Sequence, residues 1–177
     1  IATGVDFSTT AINMAKQLAS KTRLDATFIE SNILDLTKNL SEKFDIVFTS
    51  YGVLCWLPDL EAWGREVVSH LKSGGQFHII EFHPILTTLE IETDGNIRFS
   101  ESYFNRGARV YEPDGIGSYA TPEIPVNLKT YEWGHSLGEV ITALTKAGLK
   151  INGLSEYPYV IEGAGFGGLI QDQKGFW

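Results

Sequence analysis

Residues 44–49 read FDIVFT, a short run that is rich in β-branched and aromatic side chains and apolar on both faces. Strands that are covered on both faces of a parallel sheet have this pattern. We therefore predict a central parallel strand over Phe44–Thr49. The segments on either side of this strand decide the fold class.

Two strands and a helix are predicted on the amino-terminal side. Ile1–Asp6 and Ala26–Glu30 have strand composition, and Ser8 or Thr9 offers an N-cap oxygen to a helix between them. Apolar residues recur along that helix at helical spacing: Ala11, Ile12, Ala15, Leu18 and Ala19. Ile33–Leu40 is predicted to form a short, irregular helical turn.

The alternation continues after residue 49. A helix is marked by Leu60, Trp63, Val67, Val68 and Leu71. We predict that Gly74-Gly75 ends it and that Gln76–Phe82 forms a fourth strand. The order βα-β-βα-β predicts an α/β, Rossmann-like fold with a mostly parallel sheet, right-handed crossovers and flanking helices.

The alternation of strands and helices stops between residues 84 and 131. We interpret this segment as an insertion within a single domain spanning residues 1–177. Thr88–Glu92 and Ile97–Tyr103 flank Asp94-Gly95-Asn96, which predicts a β-hairpin inside the insertion. A helix from Ser136 to Gly148 follows. Strands are predicted at 149–155 and, within the last loop, near 169–171.

Composition excludes several classes of protein. The 177 residues carry 14 Lys and Arg against 22 Asp and Glu, a net charge of −8, which argues against nucleic acid as a partner. No apolar run reaches the roughly 18 residues of a membrane span, so we expect no membrane partner. The single cysteine, Cys55, excludes an intramolecular disulfide and fits a cytoplasmic protein. The oligomeric state stays open, and a homo-oligomer is one option.

Polar residues follow the predicted strands, where parallel sheets bind their ligands. Asp6 could accept both hydroxyls of a ribose, although it could instead cap the next helix. Asn32 could contact an adenine edge, together with the backbone N–H of Ile33, or could simply form a turn. Ser50 and Tyr51 follow the central strand, and Tyr51 could face a ligand or the core.

Two histidines are candidate bases, His83 after the fourth strand and His135 before the last helix, and each could equally be a structural side chain. The spacing of the four histidines, Cys55 and the carboxylates does not suggest a metal site. Cys55 lies in an apolar run and is predicted to pack. The glycine-rich run 163–168 precedes a strand-like segment, so we interpret it as a loop and not as a phosphate site.

Several of these stretches together resemble the class I S-adenosylmethionine-dependent methyltransferases, small-molecule type. The stretches are Gly4-Val-Asp6-Phe-Ser8 with Ala11-Ile12-x-x-Ala15, Phe44–Ser50 with Leu57-Pro-Asp59, Leu71-Lys-Ser-Gly-Gly75, Trp133-Gly-His135-Ser-Leu137 and Lys146-Ala-Gly148-Leu149. The resemblance implies methyl transfer from S-adenosylmethionine to a small-molecule acceptor.

The resemblance also implies roles for individual residues. It puts the ribose-binding acid at Asp6 with Phe7 beside it, and the adenine contacts at Asn32 and Ile33. Ser50 and Tyr51 would lie near the methionine part of the cofactor and the substrate.

Two other functions fit parts of the same pattern. Asp6 would serve a Rossmann-type NAD(P)-dependent oxidoreductase equally well, although the sequence has no Tyr-x-x-x-Lys pair. A non-catalytic protein with a methyltransferase-like fold is the other alternative. The family's glycine-rich loop would precede Asp6 and its last strand would follow Trp177, so we expect this chain to be a piece of a longer domain.

Overall fold

The computed structural model describes residues 1–92, 96–104, 107–112, 117–118, 121–125 and 127–157. The chain divides into two compact units, each made of several segments. Unit 1 consists of Ile1–Phe48, Asp59–Ile79 and Ala143–Leu149. Unit 2 consists of Thr49–Pro58, Ile80–Thr142 and Lys150–Trp177. The assignment of residues 1–177 to one domain with an insertion stays a prediction.

Unit 1 begins with β1 (Ala2–Asp6), α1 (Thr9–Thr22) and β2 (Ala26–Glu30). The two strands pair in parallel, with Asp6 opposite Glu30. Ser8 is the N-cap of α1, because its hydroxyl accepts a hydrogen bond from the N–H of Ala11 at 3.2 Å. The buried face of α1 is narrower than its apolar spacing predicts, since Ile12 and Ala19 are buried whereas Leu18 is exposed.

The second strand pair consists of β3 (Phe44–Ser50) and β4 (Leu71–Ile80). The N–H of Phe44 donates to His70 O, and that of Tyr51 donates to Ile80 O, so the two strands run in the same direction. The predicted parallel pairing and α/β class are confirmed. The described residues form separate two-stranded sheets, β1–β2 and β3–β4, and not one four-stranded sheet.

The prediction that the central strand is covered on both faces is wrong for the described part of the chain. Ile46 and Phe48 of β3 are 61% and 55% exposed. The apolar composition of residues 44–49 correctly indicated a strand, but composition cannot tell whether a second layer covers each face.

The glycine pair at 74–75 has a different role from the predicted one. The helix α2 (Leu60–Ser69) ends before it, and β4 already begins at Leu71. Gly74 has a φ of +79°, which favours glycine. A Cβ on Gly75 would lie 3.0 Å from Lys72 O and 3.1 Å from Phe44 O, so the glycine allows a close backbone approach inside the strand.

The core of unit 1 is built on α2. Trp63 is only 1% exposed, and its ring packs edge-on against Phe77 with the ring centroids 5.5 Å apart. The helix α3 (Leu137–Lys146) follows much later in the chain. Gly64 of α2 permits close helix packing, because a Cβ there would lie 3.1 Å from Ala143 O.

Unit 2 holds short antiparallel strand pairs. The strands are β5 (Leu89–Ile91), β6 (Ile97–Phe99), β7 (Ala108–Tyr111), β8 (Gly117–Ser118), β9 (Thr121–Pro125) and β10 (Thr130–Trp133). They pair as β5–β6, β7–β10 and β8–β9. The predicted hairpin is confirmed as β5–β6, although residues 93–95 of its turn lie outside the described residues.

The end of the chain agrees only in part with the prediction. Ser136 and Glu139 form the capping box of α3, since the N–H of Glu139 donates to the Ser136 hydroxyl and the N–H of Ser136 donates to the Glu139 carboxylate. The predicted strand over 149–155 is wrong, because these residues have no regular structure and almost all are exposed. The expected strand near 169–171 and the glycine-rich run 163–168 lie outside the described residues.

His70 joins three segments of unit 1 and is only 4% exposed. Its Nδ1 lies 2.8 Å from Glu66 O, and its Nε2 lies 3.0 Å from Leu40 O. Its own carbonyl accepts the hydrogen bond from Phe44 that begins the β3–β4 pairing. The imidazole therefore connects the end of α2 to the residues that precede β3.

We predict that His70→Ala lowers the free energy of unfolding by about 1–3 kcal/mol, because the imidazole is buried and the carbonyl group that receives its ring N–H loses that hydrogen bond. His78→Ala is the matched control, since His78 is exposed and its ring contacts only Gln76 among the contacts seen. Urea unfolding at neutral pH measures both changes. Equal effects of the two substitutions would contradict the role given to His70.

Candidate functional site

Asp6 ends β1 and is exposed. Its Oδ1 accepts the N–H of Ser8 at 2.7 Å, so the side chain folds back on the turn that begins α1. No partner of Oδ2 is seen within the described residues. A ribose could therefore be held through Oδ2 and the remaining lone pair of Oδ1.

Asn32 and Ile33 stand after β2. Asn32 caps the 3₁₀ helix Ile33–Lys38, because its Oδ1 accepts the N–H of Leu34 at 3.0 Å. The irregular turn predicted at this position is confirmed. Asn32 is exposed, and its NH₂ group and the second lone pair of its oxygen can still meet a ligand.

The structure brings these two positions together at one end of unit 1. The N–H of Ser31 donates to Asp6 O at 2.9 Å, directly beyond the register pair Asp6–Glu30. Asn32 is the next residue along the chain. Phe7 lies beside them and is 79% exposed, so an aromatic face is available to a ligand at the same place.

Ser50 and Tyr51 belong to unit 2, at the carboxyl end of β3. Tyr51 has a φ of 58° and Gly52 a φ of 86°, so two successive residues adopt the left-handed conformation. The Tyr51 side chain is about half exposed. The sequence left open whether Tyr51 faces a ligand or the core; the side chain is not buried, and contact with a ligand stays a prediction.

The Glu81 carboxylate accepts hydrogen bonds from three consecutive backbone N–H groups in the loop between β3 and α2. Oε2 lies 2.7 Å from Gly52 N, and Oε1 lies 2.8 Å from Val53 N and 3.2 Å from Leu54 N. Nothing in the sequence indicates this contact. Glu81 and Val53 are 28 positions apart in the sequence, so no local pattern could have indicated it.

His135 also contacts this loop. Its Nε2 lies 2.7 Å from Leu57 O, and because a carbonyl only accepts, Nε2 carries the proton. Nδ1 then keeps its lone pair in the neutral imidazole. His135 therefore has the atom that a general base requires.

His83 is held differently. The N–H of Ile85 donates to Nδ1 at 3.1 Å, and Nε2 lies 2.6 Å from the Glu156 carboxylate. Both ring nitrogens are thus engaged. A base role for His83 would require one of these contacts to open, whereas the same role for His135 would not.

The remaining candidate in this loop is Cys55, whose Sγ lies 3.4 Å from Gly52 O. Burial, followed by the negative charges of Glu132 and Glu81, raises the pKa of the Cys55 thiol to about 12. The thiol is thus protonated at neutral pH, which agrees with the predicted packing role.

Neither a metal-binding cluster nor a membrane-spanning helix is seen among the described residues. They contain no group of three or more His, Cys, Asp or Glu side chains that could hold a metal ion. None of their helices is long and apolar enough to cross a membrane.

The comparisons with known proteins agree with the arrangement of strands. Residues 2–77 match a family model described as a methyltransferase domain. A protein from Listeria monocytogenes assigned as an S-adenosylmethionine-dependent methyltransferase has a similar structure, with a TM-score of 0.63 and 20% identity over 85% of this chain and 64% of that one. A search of curated proteins finds no match.

The chain has the class I methyltransferase fold. A second methyltransferase, from Mesorhizobium loti, is similar at a TM-score of 0.56 and 18% identity, over 88% of this chain and 67% of that one. This chain spans 64% of the Listeria protein's length. The family match contains β1, α1, β2, β3 and α2, and with them Asp6, Phe7, Asn32, Ile33, Ser50 and Tyr51.

We predict that the Cys55 thiol of the folded protein reacts very slowly with iodoacetamide at pH 8. With a pKa of about 12, only about one thiol in 10⁴ is ionised four pH units below the pKa, and the thiolate is the nucleophile. The rate should rise as the pH increases toward 12. Mass spectrometry of the alkylated peptide measures it, with urea-unfolded protein as the reactive control. Fast modification of the folded protein at pH 8 would contradict the assignment.

Proposed function

We propose that this chain belongs to an S-adenosylmethionine-dependent methyltransferase that acts on a small-molecule acceptor. The observation that carries the proposal is the pair of exposed polar residues at the carboxyl ends of β1 and β2. Asp6 and Asn32 each use one oxygen to cap the following turn and keep further hydrogen-bonding groups for a ligand. A nucleoside has complementary groups in its ribose hydroxyls and its adenine edge.

The hydrogen-bonding groups of these residues fit the chemistry of an adenosyl group. Asp6 offers acceptors for two hydroxyl donors, and Asn32 offers both a donor and an acceptor for a base edge. The exposed Phe7 ring provides an apolar surface beside them. S-adenosylmethionine, when bound, would supply its sulfonium methyl group to the acceptor's nucleophilic atom, with S-adenosylhomocysteine as the leaving group.

The chain's own contribution would be orientation of the reactants. Holding donor and acceptor in the reactive geometry can lower a barrier by roughly 7–11 kcal/mol. An acceptor that carries a proton also needs a base, and His135 is the first candidate because its Nδ1 keeps a lone pair. His83 is the second candidate, because both of its nitrogens have partners.

Partners and location follow from charge and composition. The net charge of −8 favours a small-molecule substrate over nucleic acid. The single cysteine supports a cytoplasmic location, where thiols stay reduced. The oligomeric state stays open, and a homo-oligomer is one option.

One test of this proposal is cofactor binding. We expect saturable binding of S-adenosylhomocysteine in calorimetric titration and no binding of NAD(H). Asp6→Asn should weaken the binding about 10- to 100-fold, because a hydrogen bond to a charged group contributes about 1.5–3 kcal/mol. The asparagine oxygen can still accept from Ser8, so the turn should persist.

Asp25→Asn is the matched control. Asp25 is exposed and precedes β2, at the opposite end of the β1–β2 pair, and the substitution removes the same charge. Equal weakening by both substitutions would remove Asp6 from the site. Binding of NAD(H) alone would favour the oxidoreductase alternative.

Another test concerns the candidate general bases, His135 and His83. With an acceptor found by screening small molecules for transfer of a labelled methyl group, His135→Ala should lower kcat/KM by about 10²-fold or more. His83→Ala should lower it less. Unchanged kcat/KM across pH in both variants would exclude both histidines as bases.

A further inference from the structure

The loop between β3 and α2 is held in an unfavourable backbone conformation. Tyr51 has a φ of 58°, in the left-handed region that residues with a Cβ rarely adopt, and Gly52 follows with a φ of 86°. Such conformations persist only where surrounding contacts enforce them, and they occur often at ligand sites. The contacts that enforce this one can be identified.

The loop is fixed before and after the two left-handed residues. The N–H of Tyr51 donates to Ile80 O at 2.7 Å, which extends the β3–β4 pairing by one residue. Farther on, Trp56 N donates to Val53 O and Leu57 N to Leu54 O in a single 3₁₀ turn. Leu57 O accepts the hydrogen bond from His135.

Between these two points the Glu81 carboxylate holds the loop. The N–H groups of Gly52, Val53 and Leu54 converge on its two oxygens at 2.7, 2.8 and 3.2 Å. Val53, the residue in the N-cap position of the 3₁₀ turn, has no side-chain capping bond. Glu81 thus replaces the local cap that the sequence of the loop does not provide.

We propose that Glu81 is a positioning residue that keeps Tyr51 and Gly52 in the conformation that this loop needs to meet a ligand at the carboxyl end of β3. The proposal rests on the proposed function. Both oxygens of Glu81 are engaged by the loop, so it would act on the ligand through the backbone and not by direct contact. Gly52 would be required with it, because φ values near +86° strain any residue with a Cβ.

The chemistry of the contact makes a conservative substitution informative. A glutamine at position 81 has the same shape but only one oxygen, and its NH₂ group would face an N–H donor. An aspartate keeps both oxygens but is shorter by one methylene group. Glu81→Gln should therefore release the loop, and Glu81→Asp should restore part of the contact.

The first measurement needs no ligand. In Glu81→Gln, hydrogen exchange at the amides of Gly52, Val53 and Leu54 should be about tenfold faster or more, while exchange in α2 stays unchanged. Glu90→Gln is the matched control, because Glu90 lies in the same unit and pairs with Arg98 on the surface. Unchanged exchange at residues 52–54 in Glu81→Gln would overturn the proposal.

The second measurement is calorimetric titration with S-adenosylhomocysteine. We expect Glu81→Gln to weaken binding about tenfold or more, Glu81→Asp to weaken it less, and Glu90→Gln to leave it unchanged. If the unsubstituted protein binds and Glu81→Gln binds equally well, the positioning role is wrong and the proposed function stands. If the unsubstituted protein does not bind at all, the proposed function fails, and with it the part of the proposal that concerns the ligand.

Discussion

The burial of one face of α2 is the constraint on which unit 1 depends. Trp63 is almost fully buried, and buried aromatic side chains remove especially large surface areas from water. The same helix supplies Gly64, which allows the close approach of Ala143, and Glu66, whose carboxylate accepts the N–H and hydroxyl of Thr37. At its end, His70 connects the helix to the start of β3. The helix thus fixes the 3₁₀ segment behind Asn32 and the strand that leads to Ser50.

This arrangement explains why polar residues collect at the strand ends. The turns that follow the parallel strands have backbone N–H groups outside the ladder, and the chain must satisfy these N–H groups locally. Asp6 and Asn32 do so with side-chain oxygens, each accepting from an N–H two residues ahead. Short polar side chains suited to capping are also suited to binding hydroxyl and amide groups of a ligand. The capping role, which the sequence presented as an alternative to ligand binding, is therefore compatible with it.

The strands and helices that depend on local patterns could be predicted from the sequence. Strand composition placed β1 and β2 close to their observed limits, helical spacing and capping residues indicated α1 and α3, and a turn signal indicated the β5–β6 hairpin. The errors concern long-range contacts. Neither the exposure of Ile46 nor the lack of a strand at 149–155 follows from local sequence, because both depend on which neighbours cover a segment. The sequence predicts a helix end at Gly74-Gly75, and only the close approach of Phe44 O to Gly75 shows that the pair lies inside β4. For the same reason the sequence did not indicate the contacts of Glu81 or the contact of His83 with Glu156. The positions of Asp6 and Asn32 could be predicted because they follow from the strand ends alone, and their role as site residues stays a prediction.

The two groups of candidate residues are thus held by different means. Asp6 and Asn32 rest on contacts that span two residues, so their geometry is encoded within the turns that carry them. The loop after β3 rests on Glu81 and His135, which are about 28 and 78 residues away from the atoms they bind. A loop fixed by distant groups can adopt strained backbone angles that its own sequence would not select, as Tyr51 does. Substitution of Asp6 should accordingly affect a ligand while leaving the backbone intact, whereas substitution of Glu81 should change the backbone first and any ligand through it.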